Sequence, residues 1–286
     1  MAIEADGHLV VLDSIARDGV DTIVRVEPFT GDRSIISDSI TGSGPLFSGL
    51  SIAVETNGGL ITVAGLAGIF HVYRIDPVSG DRTRVPTEGP SFRFPTDIAF
   101  APDGTLIVID VGYPAVFRID LETGTRSIVS IVSSDTVGTG PLLGLISSVT
   151  VDQTGAIFVG SLFTVLQIDP VTGDRSIASG GFVNLDTVIF VPEGLAVEST
   201  GMLVMVDSLQ RRVTRIDPIS GVATILSSSQ IGGGPPLAFP VSIAVEADGT
   251  LIVTDIRLLA VIRIDPLTGD RMIISRSQAM LSGTEK

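Results

Sequence analysis

Val241-Ser-Ile-Ala-Val-Glu-Ala-Asp-Gly-Thr-Leu-Ile-Val-Thr-Asp255, followed after a short loop by Ala260-Val-Ile-Arg-Ile-Asp-Pro-Leu-Thr-Gly-Asp-Arg-Met-Ile-Ile-Ser275, decides the architecture. In the first half two apolar runs flank Asp248-Gly249, which reads as a hairpin because glycine supplies the positive φ a tight turn needs. In the second half the turn is Asp265-Pro-Leu-Thr-Gly269. There aspartate bonds the backbone two residues on, proline presets φ and glycine takes the left-handed position. Each unit is therefore two hairpins, or four antiparallel strands.

The Arg-Ile-Asp-Pro-x-Thr-Gly-Asp-Arg part of that unit returns along the whole chain. It stands at Arg25–Arg33, Arg74–Arg82, Arg118–Arg126, Gln167–Arg175, Arg215–Ala223 and Arg263–Arg271, spaced 49, 44, 49, 48 and 48 residues apart. A period near 48 marks copies of one supersecondary unit. Four strands per period predict an all-β fold, a six-bladed β-propeller with four antiparallel strands per blade. A parallel β-helix has shorter coils and no pair of hairpins per period. The blades fall roughly at 1–41, 42–90, 91–135, 136–183, 184–231 and 232–286, and they fill the 286 residues as one domain.

Composition agrees. Hydrophobic residues make up 44% and aromatics 5%, so Val, Ile and Leu, which suit pleated and half-buried strands, build the core. The net charge of −14 comes from 32 acids against 17 Arg and one Lys, which argues against a nucleic-acid partner. Ten of the Arg lie inside the repeated motif, where a structural role explains them first. Cysteine is absent, so disulfides and thiolate chemistry are excluded. There is no membrane-spanning run, no cleavable signal and no Gly-x-Ser-x-Gly elbow, and the only lysine, Lys286, rules out a P-loop. Met1-Ala-Ile-Glu-Ala-Asp-Gly7 matches Ile243-Ala-Val-Glu-Ala-Asp-Gly249, which lies well inside a repeat. The expectation drawn from this is an extracellular or periplasmic protein whose leader is missing from the sequence, a cytoplasmic setting staying open.

Pro240-Val-Ser-Ile-Ala-Val-Glu-Ala-Asp-Gly-Thr-Leu-Ile-Val-Thr-Asp255 and Phe94-Pro-Thr-Asp-Ile-Ala-Phe-Ala-Pro-Asp-Gly-Thr-Leu-Ile-Val-Ile-Asp110 resemble NHL-type repeats. The resemblance covers the chain repeat by repeat. It implies a six-bladed propeller related to the senescence-marker-protein and gluconolactonase superfamily and to the streptogramin-lyase type, whose members include lactonases, phosphotriesterases, lyases and binding modules. In the metal-dependent members a divalent cation sits in the central channel, held at the starts of inner strands. The comparable column here is Leu50, Thr96, Ser147, Glu193 and Val241. Glu193 is its carboxylate, and Asp97 resembles a neighbouring channel residue. The resemblance therefore implies Glu193 and Asp97 as metal ligands, for calcium or zinc, with Thr96 and Ser147 beside them.

The end of the propeller that collects inner-strand starts and the loops between second and third strands is the face on which function is expected. There the second strands end in Asp13, Asp110, Asp207 and Asp255, which either bind a ligand or cap a turn. His71, just before a third strand, is the only imidazole at this end, since His8 lies at the other. As an enzyme the chain would be a cation-assisted hydrolase of lactones or phosphoesters, with His71 or Asp207 moving the proton. The loop Gly180–Pro192 departs from the pattern and brings Asp186 close to Glu193. Connections such as Gly138-Thr-Gly-Pro-Leu-Leu143 recur four times, which suits blade-to-blade geometry better than ligand binding.

The reading favoured by these residues is a rigid scaffold that binds a small molecule or a protein at the channel face, with no membrane span. The alternatives are the hydrolase and a self-associating structural protein, so the oligomeric expectation runs from monomer to weak self-association.

Overall fold

The computed structural model describes residues 1–13, 21–66, 68–132, 137–180 and 191–277. Six four-stranded antiparallel sheets follow one another along the chain, and among the described residues there is no helix. The first sheet is β1 (Ala2–Ile3), β2 (Leu9–Asp13), β3 (Thr22–Val26) and β4 (Arg33–Ser37). The second is β5 (Ser48–Val54), β6 (Leu60–Leu66), β7 (Ile69–Ile75) and β8 (Arg82–Val85), and the third β9 (Pro95–Phe100), β10 (Leu106–Asp110), β11 (Ala115–Ile119) and β12 (Arg126–Ile131). The fourth is β13 (Ile146–Val151), β14 (Ile157–Ser161), β15 (Thr164–Ile168) and β16 (Arg175–Gly180). The fifth is β17 (Pro192–Val197), β18 (Leu203–Asp207), β19 (Arg212–Ile216) and β20 (Ala223–Ser227). The sixth is β21 (Pro240–Val245), β22 (Leu251–Asp255), β23 (Ala260–Ile264) and β24 (Arg271–Arg276). Strand order in each sheet is sequential, and the inner strands β5, β9, β13, β17 and β21 touch in turn around an axis. This is the six-bladed β-propeller that the repeat predicts.

The core lies between blades. Second strands are covered on both faces by neighbouring sheets away from the seam, so β10 (Leu-Ile-Val-Ile-Asp) and β18 (Leu-Val-Met-Val-Asp) are buried at every position and read as continuous apolar runs. Buried clusters sit at all six junctions. The largest joins blades two and three around Phe117 and Leu106. The smallest, at the seam between blades six and one, has only Leu9, Val26, Ile252 and Val261 fully buried.

The turns follow their sequence chemistry. Asp120 accepts backbone N–H bonds from Glu122 and Thr123 at 2.8 and 3.0 Å, and Gly124 takes φ of 74°. These donated bonds hold Asp76, Asp120 and Asp169 below the ordinary carboxylate range. The first Arg of the motif pairs with the glutamate that ends the inner strand of its own blade, as in Arg25–Glu4, Arg74–Glu55, Arg215–Glu198 and Arg263–Glu246.

The second half of the motif does something turn chemistry alone does not foretell: it clasps the preceding blade. Arg271 inserts into the connection leaving blade five and donates to Pro235 O, Ser227 Oγ, Ser228 O, Ile231 O and Gly232 O at 2.6–3.1 Å. Arg82 and Arg175 repeat the arrangement on Pro45 and Pro141. The adjacent aspartates complete it, for Asp81 accepts from Ser43 N and Oγ, Asp174 from Thr139 N and Oγ, and Asp270 from Gly233 N. Hence the Gly-x-Gly-Pro segments lie against the next blade's outer hairpin, where they step the chain between blades.

The ring closes by the same device without a covalent link. Ser275 donates to Gly31 O at 2.9 Å and receives Arg33 Nε at 2.7 Å. What differs at this seam is β1, which pairs with β2 only through Ala2↔Val10 and Ile3↔Leu9.

Candidate functional site

Inner strands β9, β13, β17 and β21 each carry a bulge at the same place. The register slips between Pro192 and Gly194, between Ile146 and Ser148 and between Pro240 and Ser242, leaving Glu193, Ser147 and Val241 unpaired. In β9 the partners of Ile109 and Asp110 are Asp97 and Pro95, which leaves Thr96 out, and in β5 the slip between Gly49 and Ile52 leaves out Leu50 and Ser51. A bulge re-aims a side chain. Here each one turns its extra residue to the axis, so Leu50, Thr96, Ser147, Glu193 and Val241 line one central cavity of about 750 Å³. The column inferred from resemblance is therefore a real ring.

Asp97 lines the same cavity but is bound into the wall. Ser51 of blade two donates to its Oδ1 at 2.6 Å, and Val149 N of blade four donates to Oδ2 at 2.8 Å, so this one carboxylate ties three blades together. Protein rings it except along the channel, and burial raises it above the ordinary carboxylate range against the pull of those two donors. Glu193 is less committed. Its Oε1 receives Ser208 Oγ at 3.3 Å, and burial, helped by the charge of Asp207, raises it as well. Ser147 is spent on Pro192 O at 2.7 Å, whereas Thr96 Oγ1 is buried without a hydrogen-bond partner.

The other sequence-derived candidates do not join this ring. Asp110 is fully buried and accepts N–H bonds from Arg93, Phe94 and Tyr113 at 2.6, 2.9 and 3.0 Å, so it caps the corner where its blade begins. Asp207 is also fully buried; it accepts from Gln210 N at 2.9 Å and lies 3.8 Å from Arg212. Both take the turn-capping alternative because β10 and β18 are covered on both faces. His71 belongs to strand β7, paired with Ala64, and not to a loop, since the hairpin continues as far as Leu66 and Ile69. Its ring meets Tyr73 edge-on at 6.2 Å, and burial with Arg84 and Arg126 nearby lowers its pKa. It does not line the cavity. Asp186, with most of the Gly180–Pro192 loop, lies outside the described residues.

A hard divalent cation needs six or more oxygens. The cavity is lined by four carboxylates on four blades, Asp13, Asp97, Glu193 and Asp255, of which Asp97 and Asp255 already accept donors on both oxygens, and no three of them converge on one point. Among the described residues the one cluster of three metal-type ligands, Glu4, Asp6 and His8, is at the opposite end. There Glu4 is the ion-pair partner of Arg25, as in three other blades. The channel's donor set does not fit such an ion.

The carboxylates of this protein titrate in opposite directions, with a consequence for pH stability. The depressed turn acids contribute stability that is present above their unfolded values and lost as pH falls through their folded ones. Asp97 and Glu193, raised by burial, cost nothing below the ordinary carboxylate range and destabilise as pH climbs through their folded values. His71 and the buried Met1 ammonium, both lowered, act oppositely, so the expectation is placed on the difference: between about pH 4 and 8 the urea midpoint of Asp97→Asn is expected to gain on that of the unaltered protein as pH rises. Parallel curves for the two proteins would sink the assignment.

No protein-family model matches this chain, and no curated protein is significantly similar to it. Solved structures share its fold. A nidogen/laminin complex aligns with a TM-score of 0.68 at 15% identity over 93% of this chain and 91% of that one. A streptogramin B lyase aligns at 0.66 and 14% identity over 98% and 82%, and virginiamycin B lyase from Staphylococcus aureus at 0.63 and 14% over 97% and 83%. At this identity the likeness is one of architecture. It agrees with the propeller fold of the six sheets.

Proposed function

We propose that this propeller is a rigid binding scaffold whose central channel takes a small, largely apolar ligand bearing a hydrogen-bond donor. The observation that carries this reading is the bulged ring. Five inner strands turn side chains into one cavity of about 750 Å³, a size usual for small-molecule sites. Its wall is mostly apolar, from Leu50, Ile52, Val149, Leu195 and Val241, with Glu193 as a less committed carboxylate than Asp97. No proton-transfer group among His71 and Asp207 reaches the cavity, so binding fits the geometry better than hydrolysis.

The neutral fluorophore N-phenylnaphthylamine, apolar with a single N–H, tests this. Saturable one-to-one binding is expected, weakened about tenfold by Glu193→Gln through loss of one charge-assisted hydrogen bond. It should vanish in Val241→Trp, which fills the channel mouth. Absence of saturable binding, or equal binding by Val241→Trp, overturns the reading. Calcium or zinc added to chelator-treated protein is expected to leave Tm unchanged; a rise abolished by Glu193→Gln would restore the metal-assisted hydrolase.

A further inference from the structure

The two ends of the propeller are chemically unlike and complementary. At the end opposite the channel mouth, the x of Asp-Pro-x-Thr-Gly is a large apolar residue in five of six blades. Phe29, Val78, Val171, Ile219 and Leu267 stand at the hairpin tips, 87–97% exposed, with exposed acids such as Asp76, Asp169 and Asp265 beside them. Scattered exposed apolar residues are ordinary. Five nearly bare ones at the same position of successive blades, on the acidic end, form a ring of knobs.

The channel end presents the counterpart. Leu50, Ile69, Leu145, Leu162, Leu209 and Ile256 are 41–66% exposed on it, at the inner-strand starts and the loops between second and third strands. Its acids Asp21, Asp110, Asp207 and Asp255 are buried, Asp13 is half-buried, and Asp97 and Glu193 face into the channel. Among the described residues of its inner-strand starts and loops between second and third strands, the exposed charges are cationic, from Arg93, Arg211 and Arg257. An apolar, arginine-bearing end and an apolar, acidic end therefore occur on one molecule about one axis. Unlike charges across an interface favour encounter and register, and like ends repel.

We infer that the partner of the channel end is the acidic end of a second copy of this chain, so that copies stack head to tail. Such a contact is heterologous and open-ended, since each added copy offers a free end of either kind. It goes beyond the channel-ligand reading, because the neighbour rests on the rim while the ligand lies inside.

Blade three supplies a ready control, for Glu122 occupies the knob position there and the turn forms regardless. In an acidic-end variant carrying Val78→Glu, Val171→Glu, Ile219→Glu and Leu267→Glu, the hairpins should stay intact. A channel-end variant carries Arg93→Glu, Arg211→Glu and Arg257→Glu. Sedimentation velocity on the full chain is expected to show size rising with concentration and falling with salt, since exposed charges are screened. Each variant alone should be monomeric with an unchanged unfolding curve. Mixed, the two should form a one-to-one dimer and nothing larger, because each keeps one competent end. A wild-type protein that is monomeric at every concentration overturns the inference. So does a mixture that fails to pair, or association lost in the channel-end variant only, which would mean like ends meet. N-phenylnaphthylamine binding by the acidic-end variant reads the channel separately, so failure of stacking and failure of the ligand site are distinguishable.

Discussion

Arg271→Met is expected to lower the unfolding free energy by about 3–5 kcal/mol, because it leaves a buried set of oxygens without their donor. The Arg271 side chain is buried, and its guanidinium serves the Ser227 hydroxyl and four carbonyls along the connection leaving blade five. Methionine fills a similar volume, so the loss reports the hydrogen bonds more than a cavity. Arg271→Lys should recover little, since a single ammonium cannot spread across five acceptors arranged around a planar fork. Two positions of the same repeat calibrate the result. Arg126 makes one bond, to Gly89 O at 3.3 Å, and stacks over Phe92, so Arg126→Met should cost clearly less. Blade five has Ala223 there and forms its sheet without the clasp. Equal losses at 271 and 126 in urea denaturation would show that the clasp does not hold the blades together.

Gly138→Ala is expected to cost about 4 kcal/mol, combining a left-handed backbone with a clash between the connection from blade three and the outer hairpin of blade four. Gly138 has φ of 77°, and an added Cβ would stand 1.9 Å from Gly173 O. That carbonyl is anchored by Ser130 Oγ at 2.8 Å and cannot simply move aside. Gly104 separates the two contributions. It has φ of 82°, but a Cβ added there would meet nothing within 4 Å, so Gly104→Ala should show only the backbone cost, about 1–2 kcal/mol. Were the two variants to unfold at the same urea concentration, the close packing of the Gly-x-Gly-Pro connection on the next blade would not matter to stability.

Both substitutions touch the part of the fold that is least legible in the sequence. Strand count, turn types and blade number follow from local signals repeated six times, such as Asp248-Gly249 and Asp265-Pro-x-Thr-Gly269. The Asp-Arg pair that closes the motif looks local too, yet its partners lie 34–45 residues away. A sequence pattern records that Arg recurs; it does not record which distant carbonyls it meets. The recurrence of Gly-x-Gly-Pro at matching spacing is the signal that links the two segments.

The candidate site divides along the same line. Glu193, Thr96 and Ser147 are found at the axis because the column is aligned on the strand that follows, and alignment preserves position along a strand. Asp110, Asp207 and His71 are candidates by end of the blade alone, and the end of a blade does not tell the axis from the corner. Sequence reasoning misses Ser51 altogether, although it donates to Asp97. Its place beside Leu50 in a two-residue bulge is set by pairing with β6 and carries no local mark.

By itself the sequence determined that this chain is six copies of a two-hairpin blade, because turns and strand alternation depend on neighbours in the chain. Only the tertiary structure decided which carboxylates are wall and which face the channel. That choice depends on inter-strand register and on donors from adjacent blades: Asp97 is held by Ser51 and Val149 from either side, while Glu193, at a bulge in another blade, receives a single longer bond from Ser208 and lines the axis.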